Sequence, residues 1–298
     1  MRETSSTFIM SLKLNTMKKK ILIPTDFSKN AWHALTYTLE LFKEDICDFY
    51  ILNAYQPDSY LLDSMMVPEP GEKYYEQCKK QSEEGLERIF LKLKERDDNE
   101  NHTYHTISSI GLLIDSILEE VERKDISLVA MGTKGASGTF GTLFGSNTIY
   151  TMETVRNCPV LAIPQDALFK EFKEIVFPTN YATQVKQTEL QHLLDIAKAM
   201  NAAVRFLHIA HSENLSQSQL ANKNLLDEYF TTVEHTFHTL HNGDTATALS
   251  NFVESRGSDM IAFINRKHTF FGSIFSRPLV KELGFYSKIP ILAMHDRS

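Results

Sequence analysis

The chain has 298 residues, 42% hydrophobic and 23% charged, an ordinary globular composition with room for two cores of about 140 residues each. Its net charge of −7 speaks against a nucleic-acid-binding surface, so a polyanionic ligand must be held locally, against the average field. Three widely spaced cysteines, Cys47, Cys78 and Cys158, support neither a disulfide framework nor a zinc ribbon and suit a reducing cytoplasm; no apolar run reaches the length of a membrane span.

Residues 1–18 carry no apolar run longer than Phe8-Ile9-Met10, which is no signal-peptide core; they read as a disordered lead, or an upstream start before Met17. An apolar strand over 20–24 runs into Pro24-Thr25-Asp26-Phe27-Ser28, and a helix over 28–42 follows with Ser28 as its N-cap. A second strand covers 49–54. The segment 56–72, with Pro57, Pro68 and Pro70, is too long for a simple turn and reads as a lid over a ligand, a contact surface or a merely mobile stretch. Next come a helix over 74–93, a short strand over 105–109, a helix over 112–123 and a strand over 126–131. After a glycine-rich stretch, a helix over 147–155 and a strand over 160–163 close the unit.

The same unit is then written again. Ile21-Leu22-Ile23-Pro24-Thr25-Asp26-Phe27 recurs as Ile175-Val176-Phe177-Pro178-Thr179-Asn180-Tyr181, and Cys158-Pro159-Val160-Leu161-Ala162-Ile163 recurs as Ile289-Pro290-Ile291-Leu292-Ala293-Met294. Between them, the run Asp125 to Met131 aligns with the run Ser258 to Ile264. The expected domains are 19–166 and 172–296. Alternating strands and helices predict parallel sheets with helices on both faces, and ligands in such sheets bind beyond the carboxyl ends of the strands.

Met131-Gly132-Thr133-Lys134-Gly135, followed after nine residues by Gly145-Ser146, lies between such a strand and a helix. Glycines there let backbone N–H groups approach an anion, and the helix N-terminus adds partial positive charge, which together make a phosphate cradle. It is neither a Walker A loop nor a Gly-x-Gly-x-x-Gly turn, and Gly138 and Gly141 fit neither pattern. The plain alternative is a glycine-rich surface loop without a ligand.

The Ile21–Ser28 motif together with Gly132-x2-Gly135-x9-Gly145-Ser146 resembles the universal stress protein (UspA-like) family, across both halves of the chain. That resemblance implies two tandem Rossmann-like, adenine nucleotide alpha hydrolase-like domains, each a five-stranded parallel sheet with helices on both faces. It implies ATP, with or without Mg²⁺, in the first half. Pro24, Thr25 and Asp26 would contact the nucleoside, Ala54 would border the adenine, and Met131 and Gly132 would line the adenosine. Gly135, Gly145, Ser146 and Asn147 would hold the phosphates, with Lys134 adding a charge-assisted contact. Asp26 also reads as a cap of the turn before the helix, and Ser146 as an N-cap.

The second half departs from the pattern. Asn180 stands for the Asp, Asn265 and His268 for the first two glycines, and Ser276-Arg277-Pro278 for the Gly-Ser pair, so nucleotide binding is expected in the first half alone. Phe270, Phe271 and Phe275 either fill the vacated pocket or form a protein contact. The expectation is a cytoplasmic sensor or signalling module acting through a protein partner. Its halves pair as an intrachain pseudo-dimer through the last strands, with a homodimer of chains left open. The rivals are a slow ATPase, for which no dedicated base or arginine finger is evident, and an interaction protein without nucleotide.

Other constellations read as structural. His235, His238 and His241, with His208 and His211, would not converge on a metal and are expected as solvated histidines near strand ends. Cys158 is expected as a small apolar filler, and Glu83-Glu84 and Glu119-Glu120 as solvated helix faces.

Overall fold

A computed structural model describes residues 18–56, 72–133, 145–170, 172–210, 214–241, 245–266 and 288–296. Within them the strands are β1 (Lys19–Pro24), β2 (Cys47–Tyr55), β3 (His102–Ile110), β4 (Leu128–Gly132), β5 (Val160–Ile163), β6 (Glu174–Pro178), β7 (Ala203–Ala210), β8 (His235–His241), β9 (Met260–Asn265) and β10 (Ile291–His295). The helices are α1 (Lys29–Leu41), α2 (Glu72–Arg96), α3 (Leu113–Lys124), α4 (Ser146–Thr154), α5 (Gln191–Ala199), α6 (Gln217–Tyr229) and α7 (Thr245–Arg256).

All ten strands form one sheet, in the order β3-β2-β1-β4-β5-β10-β9-β6-β7-β8. Neighbours are parallel except β5 and β10, which meet antiparallel with Leu161 opposite Leu292. The sheet is thus two runs of five strands with one internal order, joined at their last strands. That junction is where the repeated apolar runs Val160–Ile163 and Ile291–His295 lie.

Helices cover both faces. Leu35 of α1, Leu86 and Leu93 of α2, Leu193 of α5 and Leu226 of α6 pack on one face against Phe49, Phe177 and Phe206. Ile117 of α3, Met152 of α4, and Leu249 and Val253 of α7 pack on the other against Leu22, Val129 and Ile261. Strands buried on both faces have no polar side to alternate with, which is why the inner ones read as unbroken apolar runs. The edge strand β3 has an alternating, largely solvent-facing pattern and is four residues longer than its sequence suggests.

Strand register corrects the internal alignment. Ile21 pairs with Leu128, and its repeat Ile175 pairs with Met260, so Leu128 corresponds to Met260. The run Asp125 to Met131 is therefore offset by one residue from the alignment with Ser258 to Ile264. The counterpart of Gly132 is Ile264, and Asn265 stands at the place of Thr133; the pairings Gly132–Ile163 and Ile264–Met294 agree. One residue of slip moves a side chain to the opposite face of the sheet, so the distinction matters.

Glu120 is a second correction. It lies on the buried stripe of α3 with Ile114, Ile117 and Val121, and its carboxylate is ion-paired with Arg123 rather than solvated. Glu83 and Glu84 do face solvent, near Lys79 and Lys80 one turn earlier.

Candidate functional site

The turn after β1 is built by its own side chains. Thr25 Oγ1 accepts from Phe27 N–H at 3.1 Å, and Asp26 Oδ1 accepts from Ser28 N–H at 3.0 Å. Ser28 in turn caps α1 by accepting from Ala31 N–H. Asp26 therefore closes the turn, as its capping reading expects, and its side chain is exposed on the rim at the carboxyl end of the sheet. Phe27 has φ 63°, a left-handed conformation that costs a bulky residue about 1–2 kcal/mol. Its ring lies against Gly85 of α2, where an added Cβ would come within 2.3 Å of it.

A residue absent from the sequence-based site anchors this turn. Asn53 of β2, buried, donates through Nδ2 to the Thr25 carbonyl at 2.7 Å. Its sequence signal is a lone amide after the apolar pair Ile51-Leu52 near the end of β2. The second half repeats the device: His208 Nδ1 bonds the Thr179 carbonyl at 3.0 Å, Thr179 Oγ1 accepts from Tyr181 N–H, and Tyr181 has φ 57°. His208 is thus a buried turn anchor, not a solvated histidine. His235 is likewise engaged, bonding the Val233 carbonyl and Asp227. Among the described residues, no group of three or more His, Cys, Asp or Glu is placed to hold a metal ion.

The other wall comes from β4 and α4. The Thr133 N–H bonds the Ile163 carbonyl, the Thr133 carbonyl accepts from Gly145 N–H, and Thr148 Oγ1 donates to the Gly132 carbonyl at 2.9 Å. These bonds seat the start of α4 at the carboxyl end of β4. Gly145, rather than Ser146, is the N-cap, in extended conformation, and Ser146 and Asn147 open the helix with exposed side chains. Neither α1 nor α4 has an acidic residue in its first turn; Asp26 sets a carboxylate against the start of α1, while Gly145 gives α4 no side-chain cap, so the positive end of α4 stands at the carboxyl end of β4.

The sequence-predicted residues fall into place along this edge in strand order. Ala54, half-buried, ends β2; Pro24 and Thr25, buried, and Asp26 end β1; Met131, buried, and Gly132, half-buried, end β4. Strands lie about 4.8 Å apart, so the row from β2 to β4 spans roughly 10 Å, the scale of a nucleoside laid across the strand ends. Met131 turns its side chain into the core shared with α3 and α4. The missing Cβ of Gly132 would fall 2.7 Å from Asn30 Nδ2 and 3.1 Å from the Asn30 carbonyl oxygen, so this glycine admits α1 against β4. Lys134 and Gly135 lie outside the described residues, as do the segment 57–71, His211, His268 and the run 270–278.

At matching register the second half carries larger side chains. Pro24 pairs with Leu52 and Pro178 with Leu207, which sets Ile209 at the place of Ala54, while Ile264 takes that of Gly132. Both isoleucines are buried. Its first helix also starts late: a 3-10 turn over Gln187–Glu189 precedes α5, and Arg266 reaches back to the Gln184 carbonyl and Glu189. A separate cavity of about 440 Å³ lies at the amino ends of β1 and β4, lined by Lys19, Ser127 and Cys158 of the first half and Gln191 and Asp195 of α5; none of the predicted site residues touches it. Among the described residues no helix is long and apolar enough to cross a membrane.

Comparison with known proteins places these features. Residues 17–164 match the model of the universal stress protein family. A universal stress protein of Methanocaldococcus jannaschii is 29% identical over 146 residues, which are 49% of this chain and 81% of that protein. The crystal structure of a universal stress protein from Archaeoglobus fulgidus aligns with 92% of this chain and 97% of its own, with a TM-score of 0.71 at 16% identity. A putative universal stress protein from Pseudomonas aeruginosa aligns over 93% of both chains with a TM-score of 0.59 at 11% identity. At such identities the two structural likenesses speak for the fold alone.

Proposed function

The chain belongs to the universal stress protein family through its first half, and from that premise we propose that it binds one adenine nucleotide, ATP, at the carboxyl ends of β1 and β4. One observation carries the reading: the N-terminus of α4, with no acidic residue in its first turn and no side-chain cap, stands at the carboxyl end of β4 and offers an anion-favouring field. Bound there, ATP would meet Ala54 and the Thr25-Asp26 turn at its nucleoside end. Gly132 would line the adenosine, and the phosphates would meet Gly145, Ser146 and Asn147, with Gly135 and Lys134 completing the loop. The Thr25 carbonyl, held by Asn53, is fixed in place and keeps one lone pair for the ligand. Asp26, exposed on the rim, supplies a carboxylate acceptor for hydroxyl groups.

The second half, with Ile209 and Ile264 where Ala54 and Gly132 stand, takes no nucleotide in this reading. The protein works as a cytoplasmic, nucleotide-dependent sensor in stress response that signals through a protein partner. The test is Asn147→Asp. A carboxylate in the first turn of α4 is favourable for the helix itself but opposes a phosphate. ATP affinity, titrated with and without Mg²⁺, is expected to fall about tenfold or more at an unchanged melting temperature. Equal affinity in wild type and variant would remove α4 from the site.

A further inference from the structure

We propose that Asn265 and His295, both in the second half, are positioning residues for the cradle of the first half and act through α4. The proposal rests on the nucleotide reading above only for its ligand; the mechanical link is visible in the hydrogen bonds.

Helix α4 has nine residues, about 13 Å at 1.5 Å per residue. One end is tied to β4 through Gly145 N–H on the Thr133 carbonyl and Thr148 Oγ1 on the Gly132 carbonyl. At the other end the last carbonyls of a helix have no donor within it and must find one elsewhere. Val155 N–H takes the Thr151 carbonyl. The next carbonyl, Met152, accepts from Asn265 Nδ2 at 3.0 Å and from His295 Nε2 at 2.8 Å. A histidine nitrogen facing a carbonyl carries the proton, so both contacts are donations. Just past the helix, Arg156 Nη1 donates to the Asn265 carbonyl at 3.0 Å and to Asp296 Oδ1 at 3.1 Å.

Asn265 and His295 are register partners on β9 and β10, and both are buried. Met152 itself is fully buried, in the same core cluster as Val160 and Met131. The strand ends of the second half thus grip the far end of the one helix whose near end forms the first half's cradle. That explains two amide- and imidazole-bearing residues at the carboxyl ends of otherwise apolar strands. A short helix held at both ends transmits a tilt at one end to its first-turn N–H groups at the other.

The experiment uses the full chain with three single substitutions. Asn265→Asp keeps the size and sets an acceptor against an acceptor; His295→Leu removes the donor; His295→Gln keeps one. Two quantities are read: hydrogen exchange of the Gly145 and Ile149 amides without ligand, and the dissociation constant for ATP. Asn265→Asp and His295→Leu are expected to speed exchange at both amides by about tenfold while the Ile51 amide in β2 stays as in wild type. They are also expected to weaken ATP by about tenfold, with His295→Gln matching wild type. Unchanged exchange at Gly145 and Ile149 overturns the coupling whether or not ATP binds. So does a rise that Ile51 shares, since that marks global loosening. Faster exchange at α4 in a protein that takes no ATP supports the coupling and overturns the nucleotide reading instead.

Discussion

Replacing Glu174 by Gln removes the charge at the centre of a buried network at the start of β6. The Glu174 carboxylate accepts from Arg256 Nε and Nη2, each at 2.7 Å, from Arg205 Nε at 2.8 Å and from Ser258 Oγ at 2.7 Å. Burial alone would raise its pKa; the hydrogen bonds from Arg256, Arg205 and Ser258 outweigh that and lower it from 4.5 to about 2. At about 1.36 kcal/mol per pKa unit this difference corresponds to about 3 kcal/mol, and screening at the partly exposed Arg256 brings it to about 2 kcal/mol. The folded-state pKa lies below the unfolded one, so the contribution is complete above pH 4.5 and lost as pH falls through about 2. Thermal unfolding of wild type and Glu174→Gln should therefore differ by about 4–8 °C near neutrality. The two curves should draw together below pH 4.5 and meet near pH 2. A gap that is absent at pH 7, or that does not shrink with acid, would refute the assignment of this charge to stability.

Two further outcomes follow from the geometry. Gly132→Ala should destabilise the first half by about 1–3 kcal/mol, because the new methyl meets Asn30 at 2.7 Å; Asn30→Ala added to it should recover part of the loss, and no recovery would move the clash elsewhere. Burial holds the His295 imidazole below its usual pKa of 6.5, Arg156 adding to the effect while the Met152 carbonyl and Asp296 oppose it. Its contribution is thus present above pH 6.5 and lost below it. Wild type should lose stability relative to His295→Gln between neutral and mildly acidic pH in chemical denaturation, and parallel profiles would count against that protonation.

Much of this architecture is legible before any coordinate. The runs at Ile21 and Val160, their repeats at Ile175 and Ile291, and the Ser28 cap locate the inner strands and the first helix because apolar continuity and capping chemistry are local. Register is not local. Buried parallel strands offer no polar alternation to fix their phase, so the sequence aligns Gly132 with Asn265 while hydrogen bonding sets it against Ile264. Glu120 shows a neglected signal, since its spacing from Ile117 and Val121 already places it on the apolar stripe of α3. Asn53 and His208 are legible only as polar residues near the ends of largely apolar strands; what they hold, the carbonyls of Thr25 and Thr179, depends on a neighbouring strand far away in sequence. The role of Asn265 and His295 at the end of α4 lies further out of reach, because it joins residues more than a hundred positions apart.

The most direct test of the central claim is a calorimetric titration of nucleotide-stripped, full-length protein with ATP, read first for stoichiometry. One ATP per chain, at a micromolar constant worth about 8 kcal/mol, is the predicted result. Two per chain would contradict the assignment of Ile209 and Ile264 as occupants of the second site. None would contradict the cradle itself.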